Sequence, residues 1–175
     1  MNLVNHKKIY NPFISSQIMV DAEKIKEEIL SALRIKGPSI PVNLATEIKS
    51  SILFTSAFLS ELVSEKKVKM SNMRVGSSPV YLMPGQESFL ERFSEHLRSK
   101  EKEAFLLLKE KKFLRDSAQN PAIRVALREI KDFAVPFKKQ DEIVWRYFLV
   151  PETEFKVAKV TKEEQKPLEI KPLEV

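Results

Sequence analysis

The sequence predicts a mainly α protein with small β-hairpins, an α+β fold, and three observations carry that prediction. Apolar residues recur at helical spacing in successive segments. Two of these helical stretches run into short strand-like segments bounded by Gly, Pro and Ser clusters. The chain is 43% apolar with only three glycines against ten prolines, which suits a packed protein and not a flexible or collagen-like one. Cysteine is absent, so disulfides, thiolate zinc sites and cysteine nucleophiles are excluded.

Residues 1–20 carry the breakers Asn11-Pro12 and Ser15-Ser16 and no sustained period, and are expected to form an arm or a loosely docked strand. A helix over 21–34 follows, with Ala22, Ile25, Ile29, Leu30 and Leu33 on one side, Asp21 as its N-cap and Lys36-Gly37-Pro38 as its stop. Ser39-Ile40-Pro41-Val42 reads as an extended link. Asn43 is then expected to cap a short helix over 44–49 that turns Leu44, Ala45 and Ile48 inward. Ser50-Ser51 breaks it, and a third helix over 52–65 places Ile52, Leu59, Leu62 and Val63 on a buried stripe. A strand over 67–73, a turn at Gly76-Ser77-Ser78-Pro79 and a returning strand over 80–83 make a hairpin closed by Pro84-Gly85.

Helix, extended piece, helix, helix, hairpin is the element order of a winged helix-turn-helix domain. Residues 22–86 resemble the winged-helix domains of archaeal and bacterial DNA-binding proteins. The run Val75-Gly76-Ser77-Ser78-Pro79-Val80-Tyr81-Leu82-Met83-Pro84-Gly85-Gln86 resembles the wing of archaeal members. The resemblance implies a fold built to present one helix and one wing to DNA; function must be argued from the surface.

A second domain is expected beyond it. A helix over 87–98, with Phe89, Leu90, Phe93 and Leu97 on one side, forms a linker over 87–99, and a helix over 100–112 buries Ala104, Phe105, Leu107 and Leu108. Phe113-Leu114-Arg115-Asp116-Ser117 reads as a link. Asn120 is a cap and Pro121 suits the first position of a helix reaching about residue 133, with Ile123, Ala126, Leu127, Ile130 and Phe133 inward. Pro136 is expected to end that element. After the polar turn Lys138-Lys139-Gln140-Asp141, residues 143–150 form the strongest strand signal in the chain. This plan repeats the first in abbreviated form, so the expected architecture is tandem winged helix-turn-helix domains over 21–86 and 100–151. A helical hairpin with a small sheet is the alternative. Residues 152–175 end in Lys-Pro-Leu-Glu-Ile and Lys-Pro-Leu-Glu-Val and are expected to be a flexible tail.

Function then rests on charge. Thirty Lys and Arg against 24 Asp and Glu leave a formal +6, and residues 100–150 hold the larger share, twelve basic against eight acidic. Arg124, Arg128 and Lys131 fall at i, i+4 and i+7 on the helix that occupies the recognition position, a line of cations suited to phosphates or guanine edges. Lys67, Lys69 and Arg74 lie on the first wing with Lys66 before it, and Lys138, Lys139 and Arg146 on the second; wings commonly meet phosphates or the minor groove. The helix over 52–65 differs. Thr55 and Ser56 could bond phosphate there, but Leu53, Phe54 and Phe58 suit a protein contact better. Trp145, Tyr147 and Phe148 could stack on bases, and core packing is the competing use of them.

Catalysis has little support. Adjacent carboxylates such as Glu27 and Glu28 point different ways, His6 and His96 stand alone, and no phosphate-cradling glycine loop is present. The expectation is a non-enzyme without metal or cofactor that binds double-stranded DNA in transcription regulation or on the chromosome; a homodimer is compatible with this. The alternative is a protein adaptor that uses Leu53, Phe54, Phe58 and the C-terminal repeat. No run approaches the roughly 18 apolar residues of a membrane span, and no signal-peptide pattern opens the chain. A cytoplasmic or nucleoid-associated location without membrane contact is therefore expected.

Overall fold

A computed structural model describes residues 12–155 of the protein. Residues 1–11 of the expected arm, including His6, and residues 156–175 of the expected tail lie outside the described residues. The fold is mixed α+β with two small antiparallel sheets.

Helix α1 spans Pro12–Lys36, beginning nine residues before the predicted start, so Asp21 lies within a helix and is not its cap. Proline is well placed at a first helical position, where its missing N–H would lack a partner anyway; Asn11-Pro12 thus marks a start and not a break. The predicted stop holds. Gly37 adopts φ +77° and its N–H donates to the Leu33 carbonyl at 2.9 Å, a left-handed cap that favours glycine. Arg92, 56 residues on, donates to the carbonyls of Lys36 and Pro38 at 3.0 and 2.6 Å, a cation where the helix dipole is negative.

Helix α2 spans Pro41–Glu47 and α3 spans Ile52–Ser64. Pro41 opens α2, which places the predicted cap Asn43 inside it. Ser51 caps α3 by accepting from the Phe54 N–H at 3.2 Å. Leu59 and Leu62 are fully buried as predicted, but Ile52 is exposed and Val63 only half-buried. Thr55 fills the inward place in the first turn, fully buried, because its hydroxyl donates to the Ser51 carbonyl at 2.9 Å and so carries no unmet polar group into the core. Lys26 joins α1 to α3 through Glu61 and Glu65, both at 2.9 Å.

Strands β1 (Lys69–Val75) and β2 (Ser78–Leu82) form the first hairpin, with an irregularity between Met70 and Arg74. Pro79 therefore lies in β2 and the turn is Gly76-Ser77. Ser39 and Tyr81 exchange two backbone hydrogen bonds of 2.8 Å, so the extended link adds a bridge beside β2. The two faces of the hairpin are used differently. Tyr81 packs with Val68, Ile29, Leu33, Leu44, Leu59 and Leu62 in one core. Met73, Val80 and Leu82 enter a second core with Leu90, Phe105, Leu108, Leu127, Phe133 and Trp145. Alternate side chains of a strand point to opposite faces, so one hairpin walls both cores and is not an appendage of the first.

The predicted helix over 87–98 is a 3₁₀ helix, Glu87–His96. It buries Leu90 and leaves Phe89 exposed, a consequence of three residues per turn in place of 3.6. Helix α4 covers Ser99–Lys111, burying Ala104, Phe105 and Leu108, with Leu107 half-buried. The predicted link at 113–117 contains β3 (Phe113–Arg115). Helix α5 covers Pro121–Glu129, with Asn120 accepting from the Ile123 N–H at 2.9 Å. It ends four residues early, although Ile130 and Phe133 are buried as expected. Strands β4 (Ala134–Lys139) and β5 (Glu142–Tyr147) follow, in the order β3-β5-β4. Pro136 lies within β4 and ends nothing, since an edge strand tolerates a missing donor. Gln140 and Asp141 both have positive φ, +49° and +62°, the geometry of a two-residue hairpin turn. Trp145 and Tyr147 are buried, which removes them as stacking platforms for bases. The chain beyond 152 is not yet tail: Glu152–Glu154 form a 3₁₀ turn, and Phe155 packs against Phe113 and Phe137 with ring centroids 5.1 and 5.5 Å apart.

Candidate functional site

The most organised polar cluster on the surface is centred on Asp116, in the turn between β3 and α5. Its backbone N–H donates to the Ile143 carbonyl at 2.9 Å, which pins the residue beside β5, and its carboxylate is almost wholly buried. The indole Nε1 of Trp145 donates to Oδ1 at 2.9 Å. Arg124 donates through Nε to Oδ2 at 2.9 Å, with Nη2 at 2.8 Å from the same oxygen. Arg128 places Nη2 3.1 Å from Oδ2 and Nη1 3.0 Å from Oδ1. Burial pushes the Asp116 carboxyl up, but the donors of Trp145, Arg128 and Arg124 outweigh it and hold it below the usual carboxylate range.

Two cations on one carboxylate leave the cluster positive, and both arginine side chains remain more than two-fifths exposed. Arg128 also lies over the Trp145 ring, 5.6 Å from its centroid, so its rotamer is fixed on two sides. The predicted line of three cations is reduced to two, because α5 ends at Glu129 and Lys131 sits in the following turn.

Beyond α5, Lys138 and Lys139 are exposed on β4 with no carboxylate at ion-pair distance among the described residues. Glu142, opposite Lys139 in register, is taken by Arg115 at 3.3 Å. Arg146 is turned to the backbone, donating to the Val150 carbonyl at 2.8 Å, and is half-buried.

The first hairpin offers less. Lys67 pairs with Glu65 at 2.8 Å and Lys69 with Glu87. Arg74 donates to the Ser77 carbonyl across its own turn at 2.8 Å. Asp132 accepts from the Ser71 hydroxyl at 3.0 Å and from the Asn72 and Met73 N–H groups at 3.2 and 2.8 Å, fastening β1 to the segment after α5. This wing is therefore committed to the protein on one face. A cleft of about 420 Å³ opens beside it. Arg74 and Arg98 line it together with Glu101, Glu129 and Asp132, a mixture of both signs and not a basic groove. Among the described residues no group of three or more His, Cys, Asp or Glu could hold a metal ion, and no helix is long and apolar enough to cross a membrane.

Helix α3 presents a different surface. Leu53 and Phe54 are 77% and 62% exposed, while Phe58 is half-buried against the first core. Thr55 is inaccessible, so it cannot serve as a phosphate contact; Ser56 is half-buried. Sequence reasoning missed Asp116, because a single aspartate in an expected link gives no sign that two arginines converge on it. The i, i+4 spacing of Arg124 and Arg128 was the one available hint. Compared with protein-family models, curated proteins and solved structures, the chain has no match in any of the three.

Proposed function

We propose that the protein binds double-stranded DNA through α5 and the β4–β5 hairpin, and that its two halves are winged-helix units. The element order supports the fold reading. In residues 12–82 a helix, a bridge residue, two helices and a hairpin follow one another; in residues 99–147 a helix, a strand, one helix and a hairpin do. In both, the first extended piece pairs with the last strand, Ser39 with Tyr81 and β3 with β5. A turn at 116–120 stands where the first unit has α2.

The observation that carries the functional reading is the Asp116 cluster. Arg124 and Arg128 are held on the exposed face of the helix just before a hairpin, and Lys138 and Lys139 on that hairpin have no carboxylate partner among the described residues. Fixing the rotamers in advance lowers the entropy lost on binding. Such a protein acts as a binding component in transcription regulation or on the chromosome, without chemistry of its own. Affinity for a random-sequence duplex should fall steeply with salt through counterion release. Lys138→Ala with Lys139→Ala should lower the slope of log K against log salt by about two, one for each phosphate that no longer meets a lysine. A salt titration by fluorescence anisotropy reads both effects, and an affinity indifferent to salt would refute the proposal.

A second reading is favoured by Leu53 and Phe54, whose exposure on adjacent residues is unusual for a surface that touches only water. Here α3 contacts a protein, and the chain is an adaptor. Under that reading Phe54→Ser abolishes stoichiometric capture of one partner in a pull-down and leaves duplex affinity unchanged; capture that survives the substitution removes α3 as the contact.

A further inference from the structure

The two arginines on Asp116 are not equivalent, and their donor geometry separates two roles. A guanidinium has five N–H donors in a fixed plane. Arg124 spends one side of its plane, Nε and Nη2, on Asp116 Oδ2 at 2.9 and 2.8 Å. The end-on edge, formed by Nη1 and the second hydrogen of Nη2, has no partner among the described residues. Arg128 is turned the other way. Its Nη1 and Nη2 both face the Asp116 carboxylate at 3.0 and 3.1 Å, and Nη1 also donates to the Arg124 carbonyl. Its fork is occupied.

Resting on the duplex-DNA reading, we propose that Arg124 is the base-reading residue, its free end-on fork donating to the O6 and N7 of one guanine in the major groove, and that Asp116 and Arg128 are positioning residues. Guanine offers two adjacent acceptors that match an arginine fork, whereas a single phosphate oxygen asks for no such plane. Arg124 is the fourth residue of α5, in the N-terminal part of the helix from which base edges are reached. Nothing acidic stands in the first turn of α5, and Val125 beside Arg124 is exposed and uncharged. Because Asp116 is buried and held by Trp145 and the β5 backbone, the fork is fixed before DNA arrives.

The test is selection from a randomised duplex library by the full chain, followed by titration of the enriched duplex and of the same duplex with its guanine replaced. The expected motif contains one strongly fixed guanine, and replacing it weakens binding roughly 5- to 150-fold. Arg124→Lys keeps the charge and loses the fork. It should abolish the guanine preference, so that the enriched duplex and its guanine-replaced counterpart bind with the same affinity. Asp116→Asn should reduce the preference without changing the salt slope, the signature of positioning and not of a phosphate contact. Binding of all duplexes without an enriched guanine, or a guanine preference that survives Arg124→Lys, overturns the assignment and leaves duplex binding standing. No binding of any duplex at low salt overturns both.

Discussion

Phe133→Ala is expected to destabilise the protein by about 3–5 kcal/mol, the cost of removing a large buried aromatic together with the cavity it leaves. Phe133 is 1% exposed and meets Phe105 edge to face with ring centroids 4.8 Å apart, and Phe148 at 5.6 Å. The effect should not stay in the second half. Asp132, its neighbour, fastens β1 by three hydrogen bonds, and Met73, Val80 and Leu82 share the core that Phe133 fills. The first core is joined to the same hairpin through Tyr81, with Val68 just ahead of β1 packed in that core as well. Chemical denaturation followed by Trp145 fluorescence and by far-ultraviolet circular dichroism should therefore show one coincident transition, shifted as a whole in the variant. Separate transitions, with the α1–α3 part unmoved, would show that the shared hairpin does not couple the cores.

Asp116→Ala should cost about 2–3 kcal/mol. It strands the buried indole N–H of Trp145, at about 1–3 kcal/mol for an unmet donor, and leaves Arg124 and Arg128 facing one another without the anion between them. Solvent at the exposed arginines softens that repulsion. The same carboxylate sets a pH dependence of known sign. Its folded pKa is depressed, so its contribution is present above the ordinary carboxyl value and is lost as pH falls through the folded value. The native protein should lose stability on acidification below pH ~4, and Asp116→Asn, starting from a lower plateau, should lose less over that range. Thermal melts from pH 6 to pH 2 measure this; equal acid slopes in the two proteins would remove Asp116 as the source.

Much of the fold is legible in the sequence because its signals are local. The Asn120-Pro121 start of α5, the Gly37 stop of α1 and the inward stripe Ile123, Ala126, Leu127, Ile130 and Phe133 each depend on residues within a few positions of one another. The errors share a cause too. Pro12, Pro41 and Pro136 read as breakers or link residues, whereas a helix start and an edge strand both accommodate proline. The strand at Phe113–Arg115 is three residues long and too short to show a period. Its existence depends on β5, about thirty residues later in the chain.

The candidate site is half legible. The sequence places Arg124 and Arg128 on one face of a helix and marks the lysines of both hairpins as candidates. It does not tell a free lysine from a paired one, since Lys67 and Lys69 look like Lys138 and Lys139 until Glu65 and Glu87 are brought beside the first pair.

By itself, then, the amino-acid sequence determined an α+β chain without cysteine chemistry, the approximate order of its helices and hairpins, and a basic excess in its second half. These follow from composition and from spacings within single elements. Only the tertiary structure decided which cations remain available, that one hairpin serves two cores, and that Asp116 grips two arginines with different edges left free. Each of those depends on side chains of different elements meeting in space, by ion pairing or by apolar packing, and no spacing within one element encodes such a meeting.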